Sequence, residues 1–229
     1  MVVSAHPLAS EVGINILKKG GNAADATIAV QFALAVVYPS AGNIGGGGFF
    51  VYRSKDGQCS TLDFREKAPL TSTRDMYLDS SNNVIKNLSL YSHLAVGVPG
   101  TVDGMVNIHK KYGQLPWKEL VQPAIDLATN GFELTRLEAN KLNRFNKTKG
   151  KINKNSEYYK EHFSEGDSIF LPQLSKTLIL IRDHKRAGFY SGETAEMLVK
   201  EMSLNGGKIT QQDLDSYQSI WRDPIICFY

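Results

Sequence analysis

Cysteine is scarce in this chain: Cys59 and Cys227 are the only two among 229 residues. Far apart in sequence, they offer neither a disulfide framework nor a thiolate zinc site. Two core thiols is the simpler reading, and a single disulfide between them stays open. No Cys-x-x-Cys occurs, and His6, His93, His109, His162 and His184 never fall at His-x-x-x-His spacing, so no metal site is evident. Charge of one sign is not in excess either: 26 Lys and Arg against 23 Asp and Glu leave a net +3. That is too mild for a nucleic-acid binder, and no helix-turn-helix, RRM or zinc-finger spacing is present. No apolar run is long enough to span a bilayer; the richest, Ala23 to Val37, is interrupted by Asp25, Thr27 and Gln31. No leader-type segment is visible at the start. A Gly-x-Ser-x-Gly nucleophile elbow is also missing. The residues alone therefore show no complete catalytic constellation.

What is present centres on Asn43 to Pro69. Four glycines, Gly45 to Gly48, precede Phe49-Phe50-Val51-Tyr52-Arg53, and Asp56-Gly57 separates that run from Thr61-Leu62-Asp63-Phe64-Arg65-Glu66. Two β-rich runs around an Asp-Gly turn predict a hairpin. The glycine run is not a Walker loop, because Phe49-Phe50 stands where Gly-Lys-Ser/Thr is required, and it contains no Gly-x-Gly-x-x-Gly. Four glycines require a backbone that bends tightly or passes close to something a Cβ would block. This is a turn beside a substrate pocket or a purely structural one. Arg65 is the best single candidate for binding, because a planar guanidinium can hold a carboxylate bidentately from a strand end. The competing reading is an ion pair with Asp63 or Glu66, or a solvated surface arginine. Glu66 and Asp63 are candidates for a supporting shell around it.

Before this stretch, Pro7 opens a helix that ends at Gly20-Gly21. Asn22 caps a second, Ala23 to Val37, with Asp25 in its first turn. That helix is apolar nearly all round and should be buried, against a sheet face. After it, Leu70 to His93 is turn-rich and Ala95-Val96-Gly97-Val98 reads as a short buried strand. Val102 to Tyr112 is helical, as is the segment starting at Trp117, which Pro123 should break or kink. Further helices are predicted over Thr135–Asn146, Pro172–His184 and Glu193–Leu204. Thr210-Gln211-Gln212-Asp213 is a capping-box pattern. Gly188 to Gly192 reads as a turn, and Trp221 to Tyr229 as a strand whose apolar end suggests an incomplete domain.

Taken in order, these motifs resemble the γ-glutamyltranspeptidase family. The resemblance includes His6-Pro7-Leu8-Ala9-Ser10, Lys18 through Ala26, and Ile44 through Phe49. It continues in Leu62-Asp63-Phe64-Arg65-Glu66, Gly97-Val98-Pro99-Gly100-Thr101, Tyr112 through Trp117, Gly206 through Thr210 and Asp213-Leu214. It implies an α+β fold, the αββα sandwich of an N-terminal nucleophile (Ntn) hydrolase, incomplete in this chain. Residues 1–229 would be one partial domain, the N-terminal part of the large subunit. The family's precursor cuts itself in two, and the new N-terminal threonine of the small subunit attacks the γ-glutamyl carbonyl. The acyl group then passes to an amino acid, a peptide or water. Glutathione is the usual donor, and no cofactor is required. The arginine of the Phe-Arg-Glu motif, here Arg65, would bind the donor's α-carboxylate. The sequence contains no adjacent prolines and no Thr-Thr pair. The family's Pro-Pro-Ser-Ser-Gly-Gly and Thr-Thr-His segments thus have no counterpart here. No catalytic residue is expected in this chain, and the chain alone is expected to be inactive. Its partners would be a γ-glutamyl compound and the small subunit of the same precursor, in the periplasm or outside the cell. The other readings are a relative acting on poly-γ-glutamate or glutaryl-cephalosporins, and a non-catalytic truncated binding or scaffold protein.

Overall fold

The structure, a computed structural model, describes residues 1–149 and 162–225. Its elements run α1 (Pro7–Lys18), α2 (Ala23–Val37), β1 (Phe49–Arg53), β2 (Cys59–Asp63), α3 (Leu88–Tyr91), α4 (Thr101–Tyr112), α5 (Trp117–Asn130) and β3 (Phe132–Glu133). There follow α6 (Arg136–Lys149), β4 (Ser168–Ile169), α7 (Pro172–His184), α8 (Ala187–Tyr190), α9 (Gly192–Leu204), α10 (Gln211–Ser216) and β5 (Ile220–Arg222). Helices combine with antiparallel strand pairs, so the chain is α+β. Two compact units divide it: Met1–Gly42 with Leu115–Ile179, and Asn43–Gln114 with Leu180–Tyr229.

The first unit is built on α2. Asn22 Oδ1 accepts from the Ala24 and Asp25 amides, the cap that the sequence predicts, and Asp25 Oδ2 accepts from the Asn22 amide, which closes a full capping box. Asp25 also accepts from the Leu115 amide at 3.3 Å, which ties the start of α2 to the segment before α5. Ten of the fifteen α2 residues are buried. Its partners within the unit are helices, α1 and α5, rather than the sheet face expected from its composition. Alanines at 24, 29, 33 and 35 let helical neighbours approach closely, and Phe32 meets Trp117 of α5 edge to face at 5.7 Å. Pro123 does not break α5, which runs continuously to Asn130. The proline removes one backbone hydrogen bond. The burial of Leu120, Val121, Ala124, Ile125 and Ala128 on one face outweighs that loss. A two-stranded ribbon pairs Phe132 with Ile169.

The second unit holds the hairpin. β1 and β2 pair in register from Phe49↔Asp63 to Arg53↔Cys59, and β5 adds to the other side of β2. Gly57 takes a φ of 87° in the turn, where a Cβ would be strained. Phe50, Tyr52, Leu62 and Trp221 share one face, and Tyr112 of α4 seats on it with ring distances of 4.5 Å to Tyr52 and 5.8 Å to Trp221. The opposite face carries Phe49 and Val51, 65% and 74% exposed. Ala95–Val98 is not a strand: a 3₁₀ turn covers His93–Ala95 and a single bridge joins Val98 to Lys67. Pro99 ends the ladder there because it has no N–H to donate. Likewise β5 stops at Arg222, two residues before Pro224; the rest of the apolar end, residues 226–229 with Cys227, lies outside the described residues. Cys59 is half-buried with its thiol against the Gly57 carbonyl.

Asp213 ties α10 to the chain after the hairpin. Its carboxylate accepts from the Thr210 amide (2.7 Å), the Thr210 hydroxyl (2.6 Å) and the Leu70 amide (2.6 Å). Burial alone would raise its pKa, but these hydrogen bonds together hold it below the usual carboxyl range. A depressed folded pKa means the stabilisation is complete above the unfolded value of about 3.9 and is lost as pH falls through the folded one. Asp213→Ala is expected to cost about 2 kcal/mol at pH 7. In thermal unfolding, its deficit against the wild type should shrink below about pH 4. A deficit that is constant down to about pH 2.5 would contradict this account.

Candidate functional site

β2 ends at Asp63, yet its pairing continues one residue further. The Phe64 amide donates to the Gly48 carbonyl at 3.0 Å and the Gly48 amide to the Phe64 carbonyl at 3.4 Å. Leu62 and Phe64 both point into the core, 0% and 5% exposed. Alternation therefore places Asp63 and Arg65 on the outward face. There they continue the cross-strand rows Phe49–Asp63–Ile220 and Val51–Thr61–Arg222.

The glycine run serves close approach rather than unusual dihedrals, since none of Gly45 to Gly48 has a left-handed φ. A Cβ on Gly47 would lie 2.4 Å from the Phe64 carbonyl oxygen and 2.8 Å from both Arg65 Cα and the Glu66 nitrogen. The 64–66 backbone thus crosses directly over the loop. Gly46 contributes its carbonyl, which accepts from the Gly100 and Thr101 amides at 2.7 and 3.0 Å and so caps α4. Gly100 is as crowded: its Cβ would meet the Phe64 carbonyl at 2.0 Å and the Tyr217 hydroxyl at 2.1 Å.

Arg65 sits at the centre of this crossing. Its amide donates to Asp63 Oδ1 at 3.1 Å, and its carbonyl accepts from the Tyr217 hydroxyl at 2.8 Å. The second Asp63 oxygen takes both Nε and Nη2 of Arg222 at 2.9 Å. The Arg65 amide, then the Arg222 guanidinium, hold the Asp63 carboxyl below its usual pKa. The Arg65 side chain is exposed, and no hydrogen bond or ion pair engages its guanidinium among the described residues. Glu66 is exposed beside it, and its carboxylate is equally unpaired among the described residues. Lys67 turns away: its ammonium donates to the Gln218 carbonyl at 2.8 Å and its main chain pairs with Val98.

The three residues singled out by sequence are thus together, in different states. Asp63 is engaged with Arg222 and the main chain, while Arg65 and Glu66 present unpaired charges at the end of β2. Pairing of Asp63 with Arg222 removes the ion pair that would have made Arg65 structural. Tyr217 and Arg222 were not visible as parts of this arrangement. They lie more than a hundred residues downstream, and no local pattern connects them to Arg65. A surface depression lined by Ser191, Glu196, Lys200 and Gln211 contains none of the three. Among the described residues, no group of three or more His, Cys, Asp or Glu is placed to hold a metal ion.

Comparison with known proteins gives consistent matches. The family described as Gamma-glutamyltranspeptidase matches residues 9–229. The whole chain is 47% identical to a glutathione hydrolase proenzyme of Pseudomonas sp. (strain A14), of which it covers 40%. Against the glutathione hydrolase proenzyme of Escherichia coli (strain K12) the identity is 44%, over 98% of this chain and 40% of that protein. The crystal structure of Helicobacter pylori gamma-glutamyltranspeptidase superposes with a TM-score of 0.96 at 46% identity, covering 100% of this chain and 67% of that one. The chain spans 40% of the length of these two curated relatives.

The close approach at the crossing is testable. Gly47→Ala and Gly100→Ala should each destabilise the chain by about 1–3 kcal/mol, because main-chain atoms must move to admit the methyl group. Gly45→Ala, with nothing within 4 Å of its Cβ position, should stay within about 0.5 kcal/mol of the wild type. Equal denaturation midpoints for all three variants would contradict the crossing geometry.

Proposed function

The chain belongs to the γ-glutamyltranspeptidase family, and from that premise we propose that it is the N-terminal part of the large subunit of a γ-glutamyl transferase and hydrolase. In this reading residues 1–229 form one partial domain of an Ntn-hydrolase αββα sandwich. The outward face of the β1–β2–β5 sheet supports it, because Phe49, Val51 and Ile220 (65%, 74% and 41% exposed) form a surface suited to a second layer. The nucleophile is an N-terminal threonine contributed by the small subunit of the same precursor, outside these 229 residues. Its hydroxyl attacks the γ-carbonyl of glutathione or a related donor, and its α-amine takes the proton and returns it to the leaving amine as the amide C–N bond breaks. The γ-glutamyl group then passes from the resulting ester to an acceptor or water. No cofactor takes part. The reading places the enzyme in the periplasm or outside the cell. Among the described residues no helix is long and apolar enough to cross a membrane.

This chain's share of the chemistry is substrate placement. Arg65 holds the donor's α-carboxylate in a bidentate, charge-assisted pair, which fixes the γ-carbonyl relative to the incoming hydroxyl. Asp63 acts through the Arg65 amide, and Glu66 supplies the adjacent negative charge. The observation that carries the assignment is the contrast at Arg65 itself: main chain pinned at both its N–H and its C=O, guanidinium unpaired among the described residues.

The test uses the processed enzyme that carries this chain and a γ-glutamyl anilide as donor. Arg65→Ala should lower kcat/KM roughly 10- to 100-fold, the loss of a charged hydrogen-bonded pair, mostly through KM. Arg65→Lys should recover only part, since an ammonium cannot match the two carboxylate oxygens as a fork. An Arg65→Ala enzyme with unchanged kcat/KM would refute the assignment.

A further inference from the structure

We propose that Tyr217 is a positioning residue for the contact between Arg65 and the donor carboxylate, its hydroxyl fixing the direction in which the Arg65 side chain leaves the strand end. This role rests on the assignment of Arg65 to that carboxylate. A residue held by hydrogen bonds at both its amide and its carbonyl has little φ/ψ freedom, so its Cα–Cβ direction is set. Asp63 supplies the first of these bonds to Arg65 and Tyr217 the second.

Tyr217 is itself built in. It is 2% exposed, and its ring stacks on Tyr190 at 5.9 Å with an interplanar angle of 12°. The Lys67 ammonium lies 5.1 Å from its ring centroid. Its carbonyl accepts from Arg186 Nη2 at 2.7 Å, and Arg186 is anchored in turn by Asp103 at 2.9 Å. The other Asp103 oxygen accepts from the Ser219 amide and hydroxyl at 2.8 and 2.7 Å, so residues 217 and 219 are both tied down. Gly100 leaves room for the hydroxyl, which a Cβ there would meet at 2.1 Å. Burial, then the negative charges of Asp103, Asp63 and Glu66, push the phenol's pKa up, so the hydroxyl stays protonated as a donor at neutral and alkaline pH.

The experiment compares Tyr217→Phe with the wild type in the processed enzyme carrying this chain, with a γ-glutamyl anilide as donor. Phenylalanine keeps the ring and its stack and removes only the hydroxyl. KM for the donor should rise roughly 3- to 10-fold with kcat within about twofold, the pattern of weakened binding without loss of chemistry. In an Arg65→Ala background the same substitution should change nothing further, because the two act as one unit. Arg186→Lys, which keeps the charge beside Asp103 but loses the fork to the carbonyls, should raise KM roughly 2- to 5-fold. Tyr112→Phe, which removes a hydroxyl bonded to Ser60, should leave KM unchanged. If Arg65→Ala raises KM and Tyr217→Phe does not, the inference falls and the carboxylate assignment stands. The inference also falls if Tyr217→Phe has the same effect with and without Arg65. If Arg65→Ala itself leaves KM unchanged, both fall.

Discussion

The passage of one main-chain segment over another, residues 64–66 over the loop at Gly47, is the constraint on which the candidate site depends. With main-chain atoms only 2.4 to 2.8 Å from the place a Cβ would occupy, no side chain fits at Gly47 without displacement. The same crossing presents the Gly46 carbonyl to the start of α4 and brings Gly100 against the Phe64 carbonyl. A loop, a strand end and a helix start are thus locked together by main-chain contacts. Side chains at the crossing are then left for other work, and among the described residues Arg65 and Glu66 are exposed there with no ion pair.

The electrostatics reinforce this arrangement. Two arginines stand near one carboxylate at the end of β2, and Asp63 satisfies Arg222 with one oxygen and the Arg65 amide with the other. Among the described residues no hydrogen bond or ion pair engages the Arg65 guanidinium. Farther in, the Asp103–Arg186 pair orders the three carbonyls of Leu214, Asp215 and Tyr217. A half-buried pair of this kind adds little net stability, since desolvation offsets attraction. Its effect here is to set the geometry of the segment that carries Tyr217.

Much of this was legible from local chemistry. Asn22 caps α2, and Thr210 with Asp213 forms the capping box of α10, as their local patterns predict, because the bonds involved span at most three residues. Asp56-Gly57 marked the hairpin for the same reason. Arg65 and its neighbours stood out as charged groups at a strand end. What failed was where longer-range forces decide: the interior of α5 holds Pro123 because its buried face is strong, and Ala95–Val98 lacks the partners that would make it a strand. Tyr217 escaped notice because its contact with Arg65 spans 152 residues, and only the fold brings a lone tyrosine to that carbonyl. The α+β class and the family could be read from ordered motifs; the contacts that hold the Arg65 main chain could not.

The most direct test of the central claim is a crystal structure of the processed enzyme carrying this chain, with the γ-glutamyl group of the donor bound. The account predicts the donor's α-carboxylate on the Arg65 guanidinium in a two-point pair, with the 63–66 main chain still held by Asp63 and Tyr217. A carboxylate held elsewhere, or a 63–66 segment that has left Tyr217 to reach it, would contradict the account.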